Sequence, residues 1–382
     1  MRMVKSTVQT ASDRETLIDP GDVCIGIDWA DRDHAYHLLA PGGEIIRNIF
    51  QQDPDQIHAL IGIWRERFPQ ARFLVAVEQT RGALINALLM FPDVHIFPIN
   101  PAALANYRKA FAHGGGKNDP ADAQLLCQFL SHYRDQLRPL KRDEPLTREL
   151  ASLGEDRRKL VDQRVAYANE LRAILKLYFP AILALGAAQM YADFIVRLLM
   201  KYPTLDDAQK AGRNKLRKLL FGLGARNNAE ERIDQIMEAR ALTTDTVTIR
   251  SCARRVTAIV QMINVLNNQI DDYDHTIRKL VRTHPDYHIV KSLPASGEAT
   301  HCRMIAALGD DRSRYPTAES LQAATGIAPL THQSGKVKTV IARWACTKFM
   351  KQTFHEYAGL SIRTCTWTVR RIHETSASDR KS

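Results

Sequence analysis

The sequence lacks the features expected of secreted, membrane-spanning or zinc-clustered proteins. Its six cysteines lie far apart and form no Cys-x-x-Cys pair, so neither a zinc site nor a disulfide framework is indicated. No apolar run reaches the roughly 20 residues that span a bilayer. Residues 1–21 are polar, so we predict a disordered lead-in rather than a secretory signal. These absences fit a protein of a reducing, cytoplasmic setting.

Acidic residues are fewer than basic ones. Lys plus Arg number 53 against 42 for Asp plus Glu, which gives a formal net charge of +11. Such a surplus favours a polyanionic partner, and nucleic acid is the commonest one, although many basic proteins bind nothing of the kind. The length of 382 residues allows two or three domains.

The first part of the chain alternates short apolar segments with amphipathic ones. Three opening strands are followed by alternating helix and strand, which indicates an α/β mixed sheet with an antiparallel edge. Strands are predicted at residues 23–28, 37–40, 44–49, 72–78 and 94–99, and helices at 54–68 and 81–90.

Two long helices are predicted in the middle of the chain, at residues 146–179 and 249–282. In the second, apolar side chains alternate steps of three and four, which is a heptad seam. The seam fits either an amphipathic helix packed on its own domain or a coiled-coil arm that pairs with the first helix or with another subunit. Its members are Ile249, Cys252, Val256, Ile259, Ile263, Leu266, Ile270, Tyr273, Ile277 and Leu280.

The last part of the chain is predicted to be a mainly α domain. Gly326 is expected to close its second helix. Helices are predicted at residues 299–308, 317–325 and 342–358, with a turn at 292–297 and a polar, Gly-containing loop at 331–338.

Acidic residues follow two of the predicted strands and open a helix. Asp28 and Glu78 each end a buried strand, and adjacent strand ends converge at one edge of such a sheet. Asp119 and Asp122 lie three residues apart, so on a helix they share a face. Four carboxylates at one spot would repel each other unless cations lay between them, and Mg²⁺ prefers such oxygens. Two such ions can support phosphodiester cleavage.

Most of these acids also have a plain structural explanation. Asp119 before Pro120 is a good helix start, with Asp119 as the N-cap and Asp122 favourable to the helix dipole. Glu78 would be an ordinary surface acid at the end of a strand. Asp28 is the hardest to explain in this way, because it follows buried-type residues and precedes Trp29.

The order of the motifs along the chain matches a known family. The N-terminal motifs are Gly26-Ile27-Asp28, Val77-Glu78 and residues 117–123, and the C-terminal ones lie at residues 292–294, 307–310, 326–329, 333–336, 343–346 and 352–356. Together they resemble the two conserved domains of the DEDD transposases of the insertion sequence 110 family. The resemblance covers roughly residues 22–361.

The resemblance implies a RuvC-like N-terminal domain of RNase H fold, in which Asp28, Glu78, Asp119 and Asp122 hold Mg²⁺ or Mn²⁺. It implies a C-terminal transposase domain whose serine, here Ser334, attacks DNA. Members of this family are similar to site-specific recombinases that are guided by a structured non-coding RNA and act as multimers. We therefore expect DNA, a guide RNA and further copies of the chain, in a dimer or tetramer, as partners. A bacterial, nucleoid-associated location follows from the same resemblance.

Ser334 is chemically plausible as a nucleophile. A serine hydroxyl attacks only when a base or a metal lowers its proton affinity, and attack on DNA would conserve bond energy as a serine–DNA phosphoester. Gly335 leaves room for a close backbone approach. From spacing alone an ordinary Ser-Gly turn is the simpler explanation, so only the resemblance singles out Ser334.

Basic residues accompany these motifs. The candidates for nucleic-acid contacts are Lys117, His332, Lys336, Lys338, Arg343, Lys348 and Lys351. A solvated basic face is the alternative. The turn at 292–297 resembles a phosphate-binding hairpin between helices, although Ala295 stands where many such hairpins have Gly, and a plain helix connection fits as well.

The sequence thus predicts a lead-in at 1–21, a RuvC-like domain at 22–145, a helical region at 146–285 and a transposase domain at 286–361. Residues 362–382 form a divergent, polar tail, as in a shortened or frameshifted copy. Three functions stay open: a Mg²⁺-dependent transposase that uses Ser334, a RuvC-like nuclease that uses water, and a non-catalytic nucleic-acid-binding remnant.

Overall fold

The computed structural model describes residues 21–111, 119–185, 189–223, 228–335, 337–343 and 346–370. The chain divides into two units, residues 1–142 and residues 143–382. Across the described ranges, no helix combines the length and the apolar character needed to cross a membrane.

A five-stranded mixed sheet forms the centre of the N-terminal unit. Its strands are β1 (Val23–Asp28), β2 (Asp33–Leu39), β3 (Ile45–Gln51), β4 (Phe73–Val77) and β5 (Val94–Pro98). They lie in the order β3-β2-β1-β4-β5. The pairs β1–β2 and β2–β3 are antiparallel, whereas β1–β4 and β4–β5 are parallel. The predicted mixed sheet with an antiparallel edge is therefore confirmed.

Helices pack on both faces of this sheet. They are α1 (Pro54–Arg67), α2 (Ala83–Leu88), α3 (Pro101–Phe111) and α4 (Asp119–Tyr133), followed by a short 3-10 helix at Arg134–Gln136. Helices α1 and α2 cover the face that contains Val23, Ile25 and Ile27, whereas α4 covers the face that contains Cys24. Helix α2 begins at Ala83, later than predicted, because Gly82 has φ of 130° and does not adopt a helical conformation; it ends at Leu88.

Gly26 allows α4 to lie directly on β1. A Cβ at this position would come closer than 3.0 Å to the carbonyl oxygen of Ala123 and to the backbone nitrogen of Cys127. The Cys127 Sγ donates to the carbonyl oxygen of Cys24 at 3.3 Å. Ala123 contacts Gly26, whereas Cys127, later in the helix, contacts Cys24, earlier in the strand. Helix α4 therefore runs antiparallel to β1.

Replacing Gly26 by Ala is expected to lower the free energy of unfolding of the N-terminal unit by about 3 kcal/mol, because helix backbone must move away. The measurement is chemical denaturation of the full-length protein. Gly62→Ala in α1 is the matched control, since an added Cβ there meets no atom within 4 Å. It is expected to raise stability by roughly 0.5–1 kcal/mol. An unchanged unfolding free energy in G26A would show that α4 does not contact β1 at this point.

The C-terminal unit is mainly helical. Its helices are α5 (Pro145–Tyr178), α6 (Ala181–Leu185), α7 (Asp193–Lys201), α8 (Leu205–Ala211), α9 (Arg213–Gly222), α10 (Ala229–Glu238), α11 (Thr246–Val281), α12 (Tyr287–Lys291), α13 (Glu298–Leu308), α14 (Ala318–Ala324) and α15 (Lys348–Ile362). A 3-10 helix lies at Arg312–Arg314, and two strands, β6 (Leu330–Ser334) and β7 (Val337–Ile341), form a hairpin.

The two long helices predicted from the sequence are α5 and α11, and they pack against each other in opposite directions. Arg157 of α5 makes two hydrogen bonds, of 2.6 and 2.9 Å, to Asp274 of α11, and Arg164 lies 3.1 Å from Asn267. As residue numbers rise along α5, those of their partners in α11 fall, so the two helices are antiparallel. Seven of the ten predicted seam residues are buried and the other three are partly buried. The seam thus packs within its own unit, while a supercoiled arm stays a prediction.

The structure corrects two predictions near the C-terminus. Residues 331–338 are not a loop, because β6 and β7 pair antiparallel around a two-residue turn. Gly335, with φ of 57°, supplies the left-handed conformation that such a turn needs. The second correction concerns the helix predicted at 342–358: β7 ends at Ile341, and the helix, α15, runs from Lys348 to Ile362. The expected helix end at Gly326 is confirmed by its φ of 71°.

Candidate active site

Asp28 and Glu78 lie at the carboxyl ends of neighbouring parallel strands. Each paired residue of β1 lies opposite the residue fifty positions later, as Val23 lies opposite Phe73. The pairing ends at Gly26 with Ala76, and the same offset continued by two residues would bring Glu78 beside Asp28. Side chains two residues apart point to the same face of a sheet. Asp28 comes two residues after Gly26, and Glu78 two residues after Ala76, so alternation assigns both acids to the face that α4 covers. Asp28 is half-buried and Glu78 is exposed.

The first turn of α4 lies at the same edge of the sheet. Ala123 lies against Gly26, and α4 runs antiparallel to β1. From Ala123 back to Asp119 the helix rises about 6 Å. From Gly26 on to Asp28 the strand rises about 7 Å. Asp119 is therefore level with Asp28.

The two acids of α4 have different surroundings. Asp119 is exposed, whereas Asp122 is only 7% exposed and forms an ion pair with Arg108 of α3. No local spacing in the sequence points to Arg108, because its ion pair with Asp122 joins two separate helices. Arg108 neutralises the one buried carboxylate of the four and fixes its position.

Within the described residues, no three His, Cys, Asp or Glu side chains are placed so that they could hold one metal ion. The four-acid metal site therefore stays a prediction. The donor set nevertheless suits a hard divalent cation, because all four groups are carboxylates. Lys117, the basic residue predicted beside them, lies outside the described residues.

Ser334 ends β6 at the tip of an exposed hairpin, where it pairs across the turn with Val337. His332 lies two residues earlier on the same strand, so its side chain shares a face with Ser334. Both residues are exposed, which gives the hydroxyl an imidazole on the same face of the hairpin and access from solvent. Lys336 and the side chain of Lys338 lie outside the described residues.

Two residues predicted to bind nucleic acid have partners inside the protein. Arg343 Nε donates to the carbonyl oxygen of Ala328 at 3.2 Å, and Lys351 Nζ donates to the carbonyl oxygen of Arg343 at 3.2 Å. These bonds tie the chain before and after the hairpin to α15. Lys348, at the start of α15, is exposed and presents its charge to solvent. Nucleic-acid contacts by all three stay predictions.

The turn between α12 and α13 contains an unfavourable backbone conformation. Ala295 has φ of 59°, in the left-handed region that favours glycine. The Ser296 Oγ donates to the carbonyl oxygen of Leu293 at 2.7 Å and lies 2.8 Å from His301 Nε2. Burial lowers the pKa of His301 below its usual value, so the ring is neutral near pH 7.

Replacing Ala295 by Gly is expected to raise the free energy of unfolding of the C-terminal unit by about 0.5–1 kcal/mol. The left-handed conformation costs an L-residue roughly 1–2 kcal/mol, and the greater freedom of unfolded glycine offsets part of the gain. Chemical denaturation provides the measurement, and Ala299→Gly in α13 is the control, which should lower stability by about 1 kcal/mol. Equal losses in both variants would contradict a left-handed Ala295.

The sheet order and the acids at its carboxyl edge are consistent with an RNase H-like domain of the DEDD transposase type. A family model of that type, described as a transposase, matches residues 25–180. A second model, described as transposase of the IS116/IS110/IS902 family, matches residues 287–374. The two matches define the class of protein as a transposase.

Three similar proteins are named after insertion sequences. A mini-circle putative transposase for IS117 from Streptomyces coelicolor is 29% identical over 325 residues, which cover 82% of this chain and 78% of the relative. An IS110 uncharacterized 43.6 kDa protein from the same organism is 24% identical over a match that covers 82% of this chain and 77% of the relative. An IS900 uncharacterized 42 kDa protein from Mycobacterium paratuberculosis is 26% identical over a match that covers 68% of this chain and 65% of the relative. The chain belongs to the IS110 family of transposases and is a DNA transposase.

Proposed function

We propose that this transposase cuts and rejoins DNA with Ser334 as nucleophile and with Asp28, Glu78, Asp119 and Asp122 as the ligands of Mg²⁺ or Mn²⁺. The observation that supports the proposal is that β1 and β4 are parallel neighbours, each followed or ended by an acid at its carboxyl end, while α4 packs on β1 with Ala123 against Gly26. When bound, such an ion screens phosphate charge and acidifies a coordinated oxygen. The carboxylates bind through hard oxygens, and Arg108 orients Asp122.

Ser334 takes part in a balanced exchange of phosphoester bonds. Its Oγ loses a proton and forms a bond to phosphorus, while the bond from phosphorus to one strand oxygen breaks and releases a hydroxyl end. His332, on the same hairpin face, is the nearest described candidate on β6 to accept the proton. A second DNA hydroxyl then attacks the serine phosphoester, which rejoins DNA and restores Ser334 without an external energy source. Exposure of the hairpin supports this role, because the nucleophile must reach a duplex.

The partners proposed for this activity are DNA, a structured non-coding guide RNA and further copies of the chain. The net charge of +11 supports binding of polyanions. Lys348 is exposed for a phosphate contact beside the hairpin. Multimers would allow acids and serine from different copies to act on one DNA molecule.

The experiment that tests the proposal is the trapping of a covalent protein–DNA adduct. The protein is incubated with element-end DNA, the guide RNA and Mg²⁺, and the reaction is stopped in denaturant. Mass spectrometry of the digest then locates the attached nucleotide, which is expected on Ser334. Nicked DNA without an adduct would instead support hydrolysis by water. Salt-dependent binding without any turnover would support a non-catalytic remnant.

A further inference from the structure

His34 is a fully buried polar residue in the sheet that carries the candidate site. It is the second residue of β2 and is 0% exposed. Its ring packs edge-on against Phe50, with the ring centroids 4.9 Å apart. Buried polar groups in proteins are hydrogen-bonded almost without exception. The partners of the two ring nitrogens therefore show what this side chain holds in place.

The two ring nitrogens of His34 have different partners. The backbone N–H of Ala30 donates to Nδ1 at 3.3 Å. Because Nδ1 accepts this bond, the ring proton lies on Nε2, which donates to Gln52 Oε1 at 2.8 Å. The backbone N–H of Gln52 in turn donates to the carbonyl oxygen of Arg32 at 2.8 Å. His34 and Gln52 thus hold the connection at residues 29–32 at two points of its backbone.

This connection is the direct continuation of Asp28. Strand β1 ends at Asp28 and β2 begins at Asp33, so residues 29–32 join the two strands. Asp28 pairs with Ala35 in the antiparallel ladder, and paired residues project to the same face of a sheet. His34 precedes Ala35 and therefore projects to the opposite face from Asp28. The imidazole thus acts on Asp28 through the backbone of the connection.

We propose that His34 is a positioning residue that fixes the carboxylate of Asp28 for a divalent cation. The inference rests on the proposed function, in which Asp28 is a metal ligand. A ligand must be held within about 0.5 Å of its binding geometry, and replacement of residues that orient ligands typically costs about 10–100-fold in metal affinity. The bond from Ala30 restrains the chain two residues beyond the point where the pairing of β1 with β2 ends.

Two substitutions of His34 separate its two hydrogen bonds. In His34→Asn the side-chain Oδ1 lies near the position of Nδ1 and can still accept from the Ala30 N–H. In His34→Gln the side-chain amide lies near the position of Nε2 and can still donate to Gln52, but the Ala30 N–H loses its acceptor. Each variant loses one buried hydrogen bond, so chemical denaturation should show similar losses of stability.

The experiment uses the full-length protein and two measurements. Hydrogen exchange is followed at residues 29–32 without metal, and Mn²⁺ is titrated with nucleic acid bound. H34Q is expected to speed exchange of the Ala30 N–H and to weaken Mn²⁺ binding, each about tenfold, because the connection is no longer held. H34N should stay within about threefold of the starting protein in both. Equal effects in the two variants, or no effect of H34Q, would make His34 a purely structural residue.

Gln52→Ala tests the same network from a partly buried residue, so the inference stays testable if a substitution at His34 impairs folding. Loss of Oε1 frees the imidazole, so faster exchange of the Ala30 N–H and about threefold weaker Mn²⁺ binding are expected. Gln51→Ala is the matched control, because Gln51 is exposed on the same strand and its Oε1 accepts from Gln56 instead. A Q52A variant that behaves like Q51A would contradict the network.

Asp28→Asn is the reference that separates this inference from the proposed function. If D28N leaves Mn²⁺ affinity unchanged, the proposed metal site is wrong, and the positioning role falls with it. If D28N weakens Mn²⁺ binding and H34Q does not, the metal site stands and the positioning role of His34 is overturned. Exchange of the Ala30 N–H is measured without metal, so it shows in either case whether His34 holds the connection.

Discussion

Ser334→Ala is expected to lower the rate of DNA strand exchange by at least about 1000-fold and to remove the covalent protein–DNA adduct. Alanine has no hydroxyl, so no phosphoester can form to hold the broken strand. The exposed hairpin loses only one polar atom, and its pairing with Val337 uses backbone groups. Binding of DNA and RNA should therefore persist. The measurement compares recombination rate, adduct yield and binding for the two proteins.

Thr331→Ala is the matched control for this variant. Thr331 is also exposed on β6, and its odd spacing from Ser334 places its side chain on the opposite face of the hairpin. Removal of its hydroxyl should leave strand exchange within about twofold of the starting rate, because it lies away from the reacting oxygen. Normal strand exchange by S334A would rule out the serine as nucleophile.

Asp28→Asn is expected to lower the rate of strand cleavage at least about 100-fold, because an amide is a far poorer ligand for a hard divalent cation. Asn preserves shape, and Asp28 is only half-buried at the end of β1, so the fold should persist. Titration with Mn²⁺ in the presence of bound nucleic acid should show a loss of affinity that parallels the loss of cleavage.

Asp31→Asn provides the comparison for Asp28. Asp31 is an exposed aspartate three residues later, beyond the end of β1, and its loss removes the same charge from the same segment. Cleavage and Mn²⁺ affinity should be unchanged in this variant. If D28N and D31N behaved alike, the strand-end acids would have no role in metal binding and the proposed site would be wrong.

The two substitutions together separate the remaining mechanisms. A serine transposase loses strand exchange in both variants, and neither S334A nor D28N yields an adduct. A nuclease that uses water keeps nicking in S334A and loses it in D28N. These outcomes differ because the carboxylates are needed whether Ser334 or water attacks the DNA, whereas the Ser334 hydroxyl is needed only when the serine attacks.

Much of the helical and strand structure could be predicted because it depends on local patterns. The apolar residues of the α11 seam recur every three or four residues, which is about one helical turn. Gly326 marks the end of a helix because glycine readily adopts the left-handed conformation. The β6–β7 hairpin could not be predicted in this way. Its exposed, polar first strand shows no apolar alternation, so only pairing with β7 reveals it.

By itself the sequence determined which acids follow which strands and which helices are long, because these features depend on the pattern of neighbouring residues. Only the tertiary structure decided that Gly26 meets the backbone of α4, that Arg108 pairs with Asp122 and that Ala295 takes a left-handed conformation. The physical reason is range: periodicity and capping act within a turn or two of the chain. Contacts between separate elements depend instead on how whole helices and strands pack, which no single segment specifies.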